Sequence, residues 1–68
     1  MNVPIYDIFK KDYVLGPRWV EAVADFEDAK TRALQLAVLT HGEYIVFSQE
    51  TEQIVARIDR DANIEHSY

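Results

Sequence analysis

The sequence contains no cysteine, and it has only two glycines and two prolines among its 68 residues. Without cysteine the chain can form neither a disulfide nor a thiolate metal site. A secreted disulfide scaffold is therefore excluded, and a reducing cytoplasm is compatible. Very small domains usually need disulfides, a metal or a partner subunit to be stable. The missing cysteine therefore favours oligomerisation, and we expect no cofactor.

Basic residues are also scarce: seven Lys and Arg face twelve Asp and Glu, which gives a net charge of −5. Nucleic-acid binders normally carry a basic patch, so this balance argues against nucleic acid. No segment approaches the ~18 apolar residues of a membrane span. The start, "MNVPIYDIFKKD", has no long apolar run and no small-residue cleavage site, so it does not fit a signal peptide. We expect a cytoplasmic protein with no membrane partner.

Apolar residues make up 49% of the chain and charged residues 28%, which is a globular composition. A chain of this length forms one domain and buries only about 60% of the surface that its unfolded form exposes. We therefore predict a single small domain over residues 1–68. The polar end after Arg60, "DANIEHSY", is expected to fray over about 61–68.

Apolar patterning predicts four strands and one helix in the order β-β-α-β-β. The first strand covers about Ile5 to Lys10, and the second covers Arg18 to Val23 after the turn signal Gly16-Pro17. The helix is expected from about Phe26 to His41. Asp25 is its N-cap because a carboxylate accepts the unpaired backbone N–H groups of the first turn, and Gly42 suits the position just past its end.

One face of the predicted helix is apolar and rich in alanine, which lets a helix sit close to a sheet. It consists of Phe26, Ala29, Ala33, Leu36 and Ala37, with Leu34 at its edge. Val38 and Leu39 fall outside this face. They are expected either to join an interface at the sheet edge or to pack under the loop 11–17.

The stretch "EYIVFSQETEQIVARI", residues 43–58, predicts a hairpin with Gln49 to Glu52 as a four-residue loop. Such a loop favours glycine where the chain needs a positive φ, and this one offers Glu52, at a cost of about 1 kcal/mol. With unbroken alternation, one side of the hairpin is wholly apolar and should meet the helix. That side consists of Ile45, Phe47, Ile54, Ala56 and Ile58.

The opposite side of the hairpin then carries Tyr44, Val46, Val55 and Arg57. In the first hairpin, the inward set is expected to be Tyr6, Ile8, Val20 and Ala22, because Asp7 and Glu21 then point outward. That choice also sends Ile5, Phe9, Trp19 and Val23 outward. A single helix covers only one face of a four-stranded sheet. The outer face therefore exposes an apolar patch, which usually marks an interaction site.

The histidines, the serines and the acidic stretch near the end of the sequence do not form a recognisable catalytic or metal-binding motif. His41 is expected to end the helix, where a cation suits the helix dipole, and His66 lies in the polar end. Ser48 and Ser67 lie in or beside flexible segments without a G-x-S-x-G motif. The stretch "DRDANIE" resembles the start of a calcium loop. It fails because Ile64 replaces the required glycine and the twelfth ligand would fall beyond the chain.

Residues 19–58 resemble a group of small bacterial proteins of uncharacterised function. The likeness rests on a Trp-containing strand, an acidic-capped Ala-Leu helix, a G-E-Y-hydrophobic strand start and a tight hairpin, in which Glu52 replaces the usual Gly. It implies the same fold and no particular activity. The stretch "YDIFKKD" followed by a strand and a helix is also similar to HicB-like antitoxins. That family's glycine-rich strand ending is absent.

The sequence therefore predicts an α+β domain in which a mainly antiparallel four-stranded sheet packs against one helix. Strand orders 2-1-3-4 and 1-2-4-3 both satisfy the connections. The expected function is a non-enzymatic interaction module, homodimeric through the open sheet face. The alternative is binding of a small ligand or single-stranded nucleic acid through the same aromatics, with HicB-like regulation as a further option. The expected contact residues are Phe9, Trp19, Tyr44, Val46, Val55 and Arg57.

Overall fold

A computed structural model describes residues 5–59 and the backbone of residues 64–65. The sheet and helix follow the predicted order, with one short additional strand. The elements are β1 (Tyr6–Lys10), β2 (Arg18–Val23), α1 (Phe26–Leu39), β3 (Tyr44–Ser48), β4 (Gln53–Ile58) and β5 (Ile64–Glu65). All strand pairs are antiparallel and the order in the sheet is β2-β1-β3-β4-β5. The α+β fold is confirmed, and the order of the four long strands is the first of the two alternatives.

The residues predicted to fray, 61–68, lie mostly outside the described part of the chain. Within that range the backbone of Ile64 and Glu65 pairs with Ile58 and Arg57 at the edge of β4. No helix in residues 5–59 is long and apolar enough to cross a membrane.

The helix begins where the sequence predicts. The Asp25 carboxylate accepts a hydrogen bond from the backbone N–H of Asp28 at 3.1 Å, which confirms the N-cap. The end lies two residues earlier than expected, because Thr40 is already extended and its N–H donates to the Leu36 carbonyl at 2.7 Å. His41 is therefore outside the last helical turn.

The core lies between α1 and one face of the sheet. Three alanines of the helix, Ala29, Ala33 and Ala37, are fully buried. Their small side chains bring the helix close to the sheet and leave the space between them to larger strand residues. The buried residues of the sheet beneath the helix are Ile8, Tyr44, Val46, Ala56 and Ile58. Phe26, Leu34 and Leu36 pack at the margin, so the predicted apolar helix face is confirmed.

The predicted phase of β3, meaning which of its alternating side chains face the helix, is wrong. Tyr44 and Val46, expected on the outer face, are 2% and 0% exposed and belong to the core. Ile45 and Phe47, expected under the helix, lie on the opposite face. The hydroxyl of Tyr44 also contacts the Thr40 carbonyl at 3.4 Å, close to the end of the helix.

A β-bulge at Val55 explains how β4 accommodates this phase. The pairs Ser48 with Gln53 and Phe47 with Ile54 agree with the prediction, but Val46 then pairs with Ala56 rather than with Val55. Because β4 contains this one extra residue, Ala56 shares a face with Val46 rather than with Ile45, and every later side chain of β4 is shifted in the same way. Val55 itself packs against the core, so its predicted place on the outer face is wrong.

A second bulge occurs in β2, where Val20 is the extra residue between Trp19, paired with Phe9, and Glu21, paired with Ile8. Val20 packs against the core as predicted. Beyond the bulge the predicted faces are reversed: Val23 packs against the core and Ala22 is exposed. Glu21 faces the helix, where its carboxylate pairs with the Arg32 guanidinium at 2.9 Å.

Candidate interaction surface

The face of the sheet opposite α1 has no layer over it within the described part of the chain. Strand register arranges its side chains in two rows of four across β2, β1, β3 and β4. One row is Ala22, Asp7, Phe47 and Ile54, and the other is Trp19, Phe9, Ile45 and Arg57. We call these eight residues the open face.

The centre of the open face is a small apolar cluster. The rings of Phe9 and Phe47 meet edge to face, with 6.3 Å between centroids and 86° between planes, which is a favoured aromatic geometry. Ile45, the cross-strand partner of Phe9, is only 9% exposed. Together with Pro17 and Ile54, these side chains line an open groove of about 260 Å³. The side chains that line the groove are all apolar. They would bury the surface of a bound molecule but would form no hydrogen bonds with it.

The two corners of the row that contains Phe9 are exposed. Trp19 is 60% exposed, and its indole Nε1–H donates to Oδ1 of Asp7 at 3.1 Å. Gln49 donates from Nε2 to the other oxygen of the same carboxylate at 2.8 Å. Arg57 is exposed at the far corner, on β4. The open face thus has an apolar centre between an acid on β1 and a guanidinium on β4.

Three of the six predicted contact residues lie on the open face: Phe9, Trp19 and Arg57. The other three, Tyr44, Val46 and Val55, are in or against the core because of the β3 phase and the β4 bulge. Sequence reasoning missed Ile45, Phe47 and Ile54, which it assigned to the core. The available signal was that both faces of the last hairpin are apolar, so alternation alone does not say which of them meets the helix.

The end of α1 carries a second apolar surface. Val38 and Leu39 are exposed, so the expectation that they pack under the loop 11–17 is wrong. With Leu34 and Gln35 they line a shallow groove of about 420 Å³. This groove lies on the outer side of the helix and is separate from the open face.

Titratable side chains are the groups that bind metal ions or carry shifted pKa values. Residues 5–59 hold no group of three His, Asp or Glu side chains that could bind a metal ion. Asp61 and Asn63 of the calcium-like stretch lie outside the described residues. A titratable group with a shifted pKa does occur at Asp12, where the backbone N–H groups of Leu15 and Val14 hold the carboxyl pKa below its ordinary value.

The fold and its uncovered face define a small α+β domain with an apolar, aromatic-centred sheet surface. Comparison of the chain with models of protein families, with curated proteins and with solved structures finds no match. The likeness to small bacterial proteins and to HicB-like antitoxins therefore stays a prediction.

Proposed function

We propose that this protein is a small non-enzymatic interaction module of the cytoplasm that forms a homodimer through its open face. The observation that carries the proposal is the composition of that face: four apolar side chains form its centre, and acidic and basic groups flank them. Interfaces between proteins have this anatomy, with an apolar, aromatic-rich centre inside a polar rim. The absence of cysteine is compatible with a reducing compartment.

A second copy of the chain suits this surface because the row that contains Phe9 is self-complementary. Consider a two-fold axis that runs parallel to the strands, between β1 and β3. It lays each row over the same row of the other copy in reverse order, as in an isologous contact. Phe9 then faces Ile45 of the second copy, and Arg57 faces its Trp19. A guanidinium over an indole ring is a favourable cation–π contact, strongest when it is desolvated.

Trp19 is well placed to be the energetic centre of this contact. It is the only tryptophan in the chain, and it is exposed in the monomer. Its hydrogen bond to Asp7 fixes the ring before association, which reduces the ordering cost of binding. Interface hot spots favour Trp and Arg, and this arrangement pairs one of each.

Binding of single-stranded nucleic acid through the same aromatics is the weaker candidate. Tyr44, one of the three rings expected to stack on bases, is buried under the helix. The indole of Trp19 is held by a carboxylate, and negative charge beside a stacking ring opposes a phosphate backbone. Phe9 and Phe47 are closed edge to face rather than presented as open platforms.

The test of the homodimer is molar mass in solution, measured by light scattering over a range of protein concentrations. We expect a dimer for the wild type and a monomer for Ile54→Glu, which places an unpaired charge in the interface. The matched control is Val38→Glu, an equally polar change at an exposed site outside the open face, which should leave the dimer intact. Emission from Trp19 should shift to shorter wavelength as concentration rises.

Two results would contradict the homodimer. One is a wild type that stays monomeric, with Trp19 emission independent of concentration. The other is a dimer that survives Ile54→Glu but dissociates in Val38→Glu, which would move the contact to the outer side of α1. The cation–π pair is tested separately: Arg57→Lys should dimerise more strongly than Arg57→Gln, because only lysine keeps a charge over the ring.

A further inference from the structure

The exposed indole of Trp19 has no cation against it in the described part of the chain, although two other rings do. The Lys11 ammonium lies 5.5 Å from the centroid of the Tyr13 ring, and the Lys30 ammonium lies 4.8 Å from that of Phe26. An indole attracts a cation more strongly than either of those ring types. Because Trp19 is 60% exposed, its ring can receive a cation from outside the monomer.

A carboxylate that lacks a basic partner lies beside this ring. Oδ1 of Asp7 accepts the indole N–H at 3.1 Å, and Oδ2 accepts from the neutral amide of Gln49 at 2.8 Å. None of the ion pairs formed within residues 5–59 uses Asp7. Each carboxylate oxygen keeps a second lone pair, so Asp7 can still accept a hydrogen bond from a cation. The side chain is half-buried, which reduces the screening of its charge by water.

The basic side chains of the monomer do not neutralise Asp7. Arg57 is the other charged residue of the open face, and it lies two strands from Asp7 and three strands from Trp19. These separations correspond to about 10 Å and about 14 Å of sheet. Strand alternation directs Arg18, which precedes Trp19, to the opposite face, and it directs Lys10 of β1 there as well.

Further carboxylates surround the end of the sheet at which Asp7 lies. Tyr6 pairs with both Ser48 and Val23, so the start of α1 and the β3–β4 loop are at this end. Within segments 24–30 and 49–52 the one base is Lys30, which is already paired with Glu27 at 3.1 Å. The local potential is therefore negative, and it favours a cationic ligand over an anionic one. The acidic residues of the two segments are Asp25, Glu27, Asp28, Glu50 and Glu52.

We propose that Trp19 and Asp7 form a binding site for a guanidinium group, which stacks on the indole and donates N–H groups to the carboxylate. A guanidinium suits both partners because it is planar, weakly hydrated and able to stack on an aromatic face, whereas an ammonium is a strongly hydrated point charge. The indole N–H is already bonded to Asp7. The site therefore offers a ligand a ring face and acceptor oxygens, and the indole offers no donor.

Two sources can supply this guanidinium. In the proposed homodimer the source is Arg57 of the second copy, and this part of the inference rests on the proposed function. In the monomer a soluble arginine derivative can fill the same site, because Trp19 is exposed there. Both ligands need the same ring face, so the soluble compound competes with the homodimer.

The site is tested in the Ile54→Glu variant, which is expected to be monomeric. It is titrated with the N-acetyl amides of arginine, lysine and citrulline; citrulline has the planar shape of arginine without its charge. Trp19 is the only tryptophan, so its indole N–H gives a single nuclear magnetic resonance signal. We expect arginine to shift this signal with a dissociation constant of roughly 10–100 mM. Lysine should bind about threefold more weakly, and citrulline should cause no shift.

Asp7→Asn in the same background removes the charge but keeps an oxygen for the indole N–H. It should weaken arginine binding about threefold, as expected for a partly exposed ion pair. The matched control is Asp28→Asn, which removes the same charge from an exposed position on α1 and should bind arginine like its parent. Three results would overturn the site: equal shifts with arginine and citrulline, unchanged binding in Asp7→Asn, or equal weakening in Asp28→Asn.

The source of the guanidinium is tested on the wild type by light scattering. If Arg57 of the second copy occupies the site, the arginine derivative should convert dimer to monomer and the citrulline derivative should not. Arginine binding by Ile54→Glu beside a wild-type dimer that arginine does not dissociate would support the site and contradict Arg57 as its occupant. If the wild type is monomeric, the same titration is made on the wild type, so failure of the homodimer leaves the test of the site intact.

Discussion

The indole of Trp19 on β2 donates a hydrogen bond to the carboxylate of Asp7 on β1. The β2 bulge at Val20 lies between Trp19 and Ala22, the residue that pairs with Asp7. The same carboxylate accepts from Gln49, so one side chain connects β1, β2 and the β3–β4 loop. Trp19 is exposed and has little packing to hold it. Its orientation on the open face therefore depends on this bond.

The first prediction concerns that orientation. In Asp7→Ala the indole loses its acceptor, so the fluorescence anisotropy of Trp19 should fall in the monomer while the far-ultraviolet circular dichroism stays the same. Asp7→Asn is the control, because its amide oxygen can still accept the indole N–H. Equal anisotropy in Asp7→Ala and the wild type would show that packing, rather than this bond, holds the ring.

The second prediction tests the phase of β3. Val46→Ala removes two carbons from a fully buried site and should lower the free energy of unfolding by about 2 kcal/mol. Val14→Ala, the same change at a 90% exposed site, should stay within about 0.5 kcal/mol of the wild type. Urea denaturation measures both. Similar values for the two variants would be incompatible with Val46 in the core.

The third prediction concerns the β3–β4 loop. Glu52 has a φ of +56°, as its position in the loop predicts, and a side chain there is strained. Glu52→Gly should raise the free energy of unfolding by up to about 1 kcal/mol. Glu50→Gly, in the same loop but without positive φ, should lower it by roughly 0.5 kcal/mol because the unfolded chain gains freedom. A loss of stability in Glu52→Gly would mean that the loop has another geometry in solution.

The fourth prediction concerns acid stability. Hydrogen bonds from Leu15 and Val14 hold the pKa of Asp12 below its ordinary value in the folded chain. The folded state therefore binds this proton less readily than the unfolded state. The resulting stability is present above about pH 4 and is lost as pH falls through the folded pKa.

Asp12→Asn keeps an oxygen that can accept both N–H groups but cannot titrate. Thermal melts at neutral pH and near pH 3 should therefore show a smaller acid-induced decrease in the melting temperature for Asp12→Asn than for the wild type. Glu50→Gln, an exposed carboxyl in the β3–β4 loop, serves as the control. The same acid-induced decrease in Asp12→Asn and the wild type would remove Asp12 as a source of this pH dependence.

Local sequence patterns determined much of this fold. Asp25 marks the helix start because a carboxylate satisfies backbone donors that have no partner within the helix. The alanine spacing 29, 33 and 37 identifies the face that meets the sheet, because helical periodicity places these positions on one side. The bounds of β2, β3 and β4 and the positive φ at Glu52 follow from local turn and strand preferences in the same way.

The sequence placed Tyr6 and Ile8 of β1 on the buried side correctly, but only the tertiary structure decided which side chains of β3, and of the far ends of β2 and β4, are buried. In β3, Tyr44 and Val46 compete with Ile45 and Phe47, and both pairs are apolar enough for a core. The bulges at Val20 and Val55 then reverse the alternation halfway along β2 and β4. A shift of one residue moves every later side chain to the opposite face. Where both faces are apolar, hydrophobic patterning cannot fix that phase, and packing against the buried alanines of α1 selects it.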